Sequence, residues 1–361
     1  MQIEKLKYLV CPAPRVRQRG KCGGHLSLHG DEIPLRPAEG DLDEVVDGGV
    51  RCDECQGWYP VIGGVLILLH RPKEYLAARY PSIISQAGMY GGLSGDLLAW
   101  LREQHFDLYD LARREDKMDV NLTLHYDRVA DILSEAPLPA SFRKFLTESD
   151  GRNPYDVLAE MAKRNAKGKR LALDSGCGPG GLVFRLSGTF ERVFGVDLSF
   201  ASILLGRSVL LHRPRPTVQH LVRHHRNAFV QRPLTAERVD NVELIVADCT
   251  NLPFADEALD LAASANIVDV VHPRTPLREV ARVLRLDGIL LFTDPFKVPG
   301  GPYSQGGPDP LAGARDYLEV LGFSSLEEED YVPWIWHRYR RQLQLYFNYC
   351  GAFRKGTPKE G

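Results

Sequence analysis

Asp174 heads a run of alternating glycines, Gly176, Gly178 and Gly180, directly after the apolar residues Leu171 to Leu173. Such a run turns the chain sharply from a buried strand into a helix, and without Cβ atoms the backbone lets a ligand approach closely. Two further short apolar strands end in acids: Val193 to Asp197, with Asp197 lying 23 residues after Asp174, and Val242 to Asp248. Three strands that each end in a carboxylate point to a nucleoside site at the carboxyl edge of a parallel sheet. Asp197 is placed to take two ribose hydroxyls, and Asp248 to accept from an adenine amine. A dinucleotide fold favours Gly-x-Gly-x-x-Gly, with a pyrophosphate at the helix start. Here the spacing is Gly-x-Gly-x-Gly and an acid precedes it. That acid repels a pyrophosphate and welcomes an ammonium group, such as the amino-acid end of S-adenosylmethionine.

The elements that must hold these residues read as an α/β fold. Leu259 to Ser264 is predicted as a fourth strand, Pro276 to Leu284 as a helix and Gly288 to Thr293 as a fifth strand. A helix is expected from Leu311 to Leu321, closed by Gly322. Glu327 to Asp330 reads as a charged turn. Leu343, Leu345, Phe347 and Tyr349 alternate with Gln342, Gln344, Tyr346 and Asn348, as in an edge or near-edge antiparallel strand. Leu97–Leu101, Tyr126–Leu133 and Tyr155–Met161 have the three- and four-residue spacing of amphipathic helices. They are expected to form a layer over the cofactor edge, with Tyr126 and Tyr155 near cofactor or substrate.

Asp174 to Gly180, Asp197, Asp248-Cys249 with Leu252-Pro253-Phe254, and Arg282-Val283-Leu284 with Asp287-Gly288 resemble the ordered motifs of class I S-adenosylmethionine-dependent methyltransferases. The subgroup is the one containing the quinone-biosynthesis enzymes. The resemblance covers about residues 155–300 and implies a Rossmann-like seven-stranded sheet with helices on both faces. It also implies that Asp174, Gly176, Gly178 and Gly180 contact the methionine part, and that Asp197 and Leu198 meet the ribose side. Asp248 and Cys249 would flank the adenine, with Asn266 under the sulfonium. Asp287 stands where the family usually has proline, and the segment between Asp197 and Val242 is more than twice the family's usual length.

Four of the seven cysteines fall in the first 55 residues: Cys11, Cys22, Cys52 and Cys55. With no secretion signal in view and an odd count, a reducing compartment and metal are expected before disulfides. Cys52-Asp-Glu-Cys55 is a two-thiolate knuckle; Cys11 and Cys22 complete a tetrahedral zinc set, with His25 and His29 in reserve. Arg15 to Lys21 reads as a basic insertion in the first knuckle. Leu6 to Pro12, Cys22 to Leu26, Cys52 to Cys55 and Tyr59 to Val65 resemble the small zinc-ribbon activator subunits of methyltransferases. The expected organisation is a ribbon over 1–72, a helical linker over 73–165 and a methyltransferase domain over 166–361. Cys177 and Cys249 read as turn and backbone residues.

A chain of 361 residues with 44% apolar and 25% charged residues reads as a globular protein of more than one unit, and the reducing compartment read from the cysteines is expected to be the cytoplasm. The net charge of −2 gives no general attraction to nucleic acid or membrane. Residues 199–236 hold no acid and are rich in arginine and histidine. They could bind phosphates, but they read better as a basic face opposite the acidic run Asp41–Glu54, docking ribbon on catalytic domain. For an acceptor that needs a base, His272 and Asp269 lie just beyond the fourth strand, and Asp294 at the tip of the fifth. The acceptor expected is a small molecule or a peptide. A tRNA, rRNA or translation-factor methyltransferase is the second reading, and a non-catalytic ribbon scaffold the third.

Overall fold

The computed structural model describes residues 1–14, 20–90, 94–103, 118–135, 138–148, 151–211, 217–222, 228–233, 237–268, 271–272, 274–296, 310–339 and 342–357. Five short strands come first: β1 (Leu26–His29), β2 (Arg36–Ala38), β3 (Asp41–Cys52), β4 (Trp58–Ile62) and β5 (Val65–Leu66). Helices α1 (Pro72–Tyr90), α2 (Gly95–Glu103), α3 (Met118–Tyr126), α4 (Val129–Glu135), α5 (Ala140–Glu148) and α6 (Pro154–Asn165) follow. Then come β6 (Leu171–Ser175), α7 (Gly181–Ser187), β7 (Arg192–Asp197), α8 (Phe200–Leu210), β8 (Thr217–Val222), β9 (Ala228–Pro233) and β10 (Val242–Val246). The chain ends with β11 (Leu259–Ala265), α9 (Arg274–Val283), β12 (Leu284–Asp294), α10 (Pro310–Val320), β13 (Phe323–Tyr339) and β14 (Gln342–Lys355).

The large sheet has seven strands in the order β10-β7-β6-β11-β12-β14-β13. Counted along the chain this is 3-2-1-4-5-7-6: the doubly wound order with an antiparallel strand inserted near one edge. β11 pairs in parallel with β6 and β12, and β14 runs antiparallel between β12 and β13. The expected Rossmann-like α/β class is therefore the observed one. β6, β10 and β11 are buried along their whole length, as strands covered on both faces must be. The apolar residues that made them legible thus form the core of the sheet.

Two compact units are present: residues 1–116 with 196–208 and 243–255, and residues 117–195 with 209–242 and 256–361. Most of α8 and the loop after β10 fall in the same unit as the N-terminal strands, and residues of that segment and α1 hydrogen-bond to them. Ile67 pairs in parallel with Val246, and Leu68 N–H donates to Val246 O at 2.9 Å. Tyr75 Oη donates to Leu198 O at 2.6 Å and accepts from Phe200 N–H at 3.2 Å.

Some local expectations need correction. Glu327 to Asp330 is not a turn but the middle of β13, where basic partners absorb its charge: Glu327 meets Arg164, Glu328 meets Arg315 and Glu329 meets Arg152. Tyr126–Leu133 is not one helix. α3 stops at Tyr126, and α4 starts afresh with Asp131 Oδ2 accepting from Arg128 N–H at 2.9 Å. β12 begins at Leu284, directly after α9, rather than at Gly288. On β14, Phe347 is 44% exposed while Asn348 is fully buried, so polar and apolar residues exchange faces there.

Candidate functional site

In the second unit the turn after β6 has the geometry its glycines imply. Gly176, Gly178 and Gly180 take φ of 79°, 51° and 88°, in the left-handed region that costs a residue with a Cβ. At Gly176 a Cβ would lie 1.7 Å from Ile267 Cδ1, so a side chain there would displace Ile267. Asp174 is buried at the head of this turn. Cys177 is buried, its thiol turned to Gly178 O at 3.3 Å, as expected of a turn residue.

α3 and α6 close over this turn. Tyr126 Oη donates to Pro179 O at 2.6 Å. His125 Nδ1 accepts from Gly181 N–H at 3.3 Å. Tyr155 is buried against His125, with ring centroids 5.3 Å apart, and against Trp334 at 5.4 Å. Burial raises the Tyr155 phenol well above its ordinary value, and the nearby Asp174 carboxylate raises it further. Arg185 lies under the Tyr155 ring and pairs with Asp156 at 2.5 Å. A capping box between Asn153 and Asp156 starts α6 and so sets Tyr155 and Asp156 at its first turn. Trp334 donates its indole N–H to Leu124 O at 3.2 Å and is buried.

Asn266 lies at the end of β11 with φ 55°, its N–H donating to Thr293 O at 2.9 Å. Its side-chain Oδ1 accepts from Asn348 Nδ2 at 2.8 Å, and Asn348 Nδ2 also reaches Thr293 Oγ1 at 3.0 Å. Sequence reasoning missed Asn348 and His125. The signal for Asn348 was one amide in a strand whose neighbours carry aromatic rings; His125 had none beyond preceding Tyr126. His272 is exposed in the loop before α9. Asp269 lies outside the described residues. Asp294 is fully buried and accepts from Phe296 N–H at 2.8 Å, fixing the turn that leaves β12.

In the first unit the two other strand-end acids are each locked by the turn that follows. Asp197 Oδ1 accepts from Ser199 N–H at 2.7 Å. Asp248 Oδ1 accepts from Thr250 N–H at 2.8 Å and from Thr250 Oγ1 at 2.7 Å. Leu198, beside Asp197, is 41% exposed, an apolar surface next to an acid. Cys249 is buried; burial, with Asp248 and Asp197 nearby, pushes its thiol up to about 12, so it is no nucleophile at neutral pH.

The same unit brings Cys11, Cys22, Cys52 and Cys55 together, with all four sulfurs within 4.8 Å of one another. Cys11 and Cys55 are 3.5 Å apart and Cys22 and Cys52 3.7 Å. A tetrahedron with zinc–sulfur arms of about 2.3 Å has sulfurs roughly 3.8 Å apart, so the donor set fits zinc. Pro14 pairs with Lys21 and Cys22 N–H donates to Ala13 O at 2.6 Å, which closes the unusual gap between Cys11 and Cys22. Gly24 is required there, since a Cβ would lie 2.7 Å from Cys52 Sγ. His25 and His29 are not part of the cluster.

Arg207, expected on a solvated basic face, is instead fully buried. It pairs with Glu243 and, at 2.7 Å, with Glu44 of β3. Arg213, Arg215, Arg223 and Arg226 lie outside the described residues.

Residues 173–292 match the family model described as a methyltransferase domain. A fatty-acid O-methyltransferase of Mycolicibacterium smegmatis is 29% identical over 194 residues, 52% of this chain and 57% of the relative. The ubiquinone/menaquinone biosynthesis C-methyltransferase UbiE of Campylobacter jejuni is 38% identical over 82 residues, 22% of this chain and 32% of the relative. The chain thus spans a third to somewhat over half of these relatives. Among solved structures, the YcgJ protein of Bacillus subtilis is similar at 15% identity and a TM-score of 0.40, over 58% of this chain and 99% of that one. The family match is confined to the segment from β6 to β12, about a third of the chain. No helix among the described residues is long and apolar enough to cross a membrane.

Proposed function

We propose that the chain is an S-adenosylmethionine-dependent methyltransferase with its own structural zinc ribbon, acting on nitrogen or oxygen of a small-molecule or peptide acceptor. The observation that carries this reading is the acid-led glycine turn, with Asp174 buried at its head and φ positive at Gly176, Gly178 and Gly180. An acid in that place suits an ammonium group and opposes a pyrophosphate.

The bound cofactor would supply a methyl carbon already activated by its sulfonium, so the protein's task is alignment and exclusion of water. Asp174 would hold the ammonium, Asp197 the ribose hydroxyls and Asp248 the adenine amine. Leu198 offers apolar cover, and Cys249 would serve through its backbone. Of the residues offered as a base, His272 is exposed and Asp294 is engaged in its own turn. An acceptor that is a nucleophile without a base, a carboxylate or a neutral amine, therefore fits best. The Mycolicibacterium smegmatis relative is named for the carboxylate case. Burial of Arg207 between two glutamates removes it from any phosphate-binding face, which weighs against a nucleic-acid acceptor.

Calorimetry with S-adenosylmethionine and S-adenosylhomocysteine tests the reading. Both are expected to bind the native protein, and Asp197→Ala to abolish the heat. Labelled S-adenosylmethionine and cell extract then identify the acceptor. No heat from either ligand on folded protein would overturn the proposal.

A further inference from the structure

An amino-acid head group has two ends, and Asp174 answers only one of them. A carboxylate at the same turn needs a donor. The obvious cation, Arg185, is directed elsewhere through Nε and Nη1: Nε holds Asp156, and Nη1 donates to His125 O and Gly181 O, each at 3.0 Å. Tyr126 is spent too, on Pro179 O.

His125 remains. It is 8% exposed, fixed between the Tyr155 ring and the start of α7. Burial, then the charge of Arg185, pushes its pKa down to about 3, so the imidazole is neutral. A neutral imidazole carries one proton. Nδ1 accepts from Gly181 N–H, so the proton sits on Nε2. That edge of the ring overlies the turn: a Cβ on Gly178 would lie 3.0 Å from both Nε2 and Cε1. Gly181 is confined by the same ring, with His125 Nδ1 2.9 Å from where its Cβ would be. The two glycines thus leave room for the histidine, which presents a fixed N–H donor beside the glycine turn.

We propose that His125 is a cofactor-specificity residue whose Nε2–H donates to the carboxylate of the methionyl group. Asp174 and His125 then form an acceptor–donor pair that reads an α-amino acid head by both of its charges. This rests on the methyltransferase reading above and adds a determinant to it. The donor is uncharged, so its contribution is geometric, and a ligand without the carboxylate gains nothing from it.

The test compares S-adenosylmethionine with decarboxylated S-adenosylmethionine by calorimetry. The native protein is expected to bind the intact cofactor about 10- to 100-fold more tightly, as a hydrogen bond to a charged group implies. In His125→Ala that ratio should fall to about threefold or less, with affinity for the decarboxylated ligand unchanged. His125→Gln, which keeps an acceptor and a donor, should retain part of the discrimination. His125→Phe keeps the ring's bulk and should lose it, which covers the case in which the alanine variant fails to fold. Equal weakening of both ligands in the Phe and Ala variants, or no change in either, would overturn the inference while leaving the methyltransferase reading intact. Failure of both ligands to bind the native protein would remove that reading, and this inference with it.

Discussion

Asn348, fully buried on β14, donates its side-chain amide to Asn266 Oδ1 at 2.8 Å across 82 residues of sequence. Asn266 holds a left-handed backbone conformation at the end of β11, so its side-chain direction is set from two sides: by its own turn and by Asn348. The same amide reaches Thr293, which links the ends of β11 and β12 to the middle of β14 through one group.

Replacing Asn348 by Leu removes the donor but preserves bulk. It leaves Asn266 Oδ1 and Thr293 Oγ1 short of a donor in a buried place, a loss of about 1–3 kcal/mol. Denaturant unfolding should show that loss. If Asn266 lies beneath the reacting centre, as the family resemblance implies, turnover should fall about tenfold while cofactor affinity stays within about threefold. A fall in affinity alone would show that Asn266 serves binding and not alignment.

How much of this was legible in the sequence follows from how local each signal was. β6, β7, β10 and β11 announce themselves as apolar runs ending in acids or at a turn, and β6, β10 and β11 prove buried throughout. Gly176, Gly178 and Gly180 were legible because only glycine takes their conformation cheaply. Asn348 was not, because its partner is remote and nothing in its neighbourhood marks one amide as buried. Glu327–Asp330 misled for a related reason. A run of acids reads as solvated until Arg164, Arg315 and Arg152, all distant in sequence, are brought alongside. Arg207 likewise passed for a surface charge because Glu44 and Glu243 are 163 and 36 residues away.

That arginine yields the next prediction. Removing one member of a buried ion cluster strands the others, typically at about 3–5 kcal/mol. Arg207→Met should therefore lower stability by that order in a denaturant titration. The triple replacement Arg207→Met, Glu44→Leu, Glu243→Met removes the three side-chain charges but strands the buried Met1 ammonium, which pairs with Glu44 at 3.5 Å, so it should recover only part of the loss. A small effect of the single change would mean that water reaches Glu44 and Glu243.

His125 gives a pH dependence with a definite sign. Its pKa falls from an ordinary 6.5 to about 3 on folding, chiefly through burial. Below pH 6.5 the unfolded chain takes up a proton that the folded protein refuses. Stability from this group is thus complete above the unfolded value and is lost toward acid, by up to about 1.4 kcal/mol per pH unit. Urea midpoints of the native protein should drop more steeply between about pH 6 and 4 than those of His125→Gln. Carboxylates act alike in both proteins, so the difference isolates the imidazole.

The four-cysteine cluster is tied by short paths to the loop after Asp248. Val10 N–H donates to Pro253 O at 3.0 Å, and Asn251 Nδ2 donates to Pro12 O at 3.0 Å; these two residues flank Cys11. Lys21, next to Cys22, donates to Leu252 O at 2.8 Å. Three successive loop residues are thus held by neighbours of two of the clustered cysteines. Metal analysis should return about one zinc per chain. A chelator strong enough to strip it, or Cys52→Ser, frees the backbone on both sides of Cys11 and Cys22, and the three hydrogen bonds lose their fixed end. Amide hydrogen exchange should then rise across the loop holding Asn251, Leu252 and Pro253 as well as in the ribbon, while β11 and β12 keep their protection. Faster exchange confined to the ribbon would show that the loop after Asp248 holds its place without the metal.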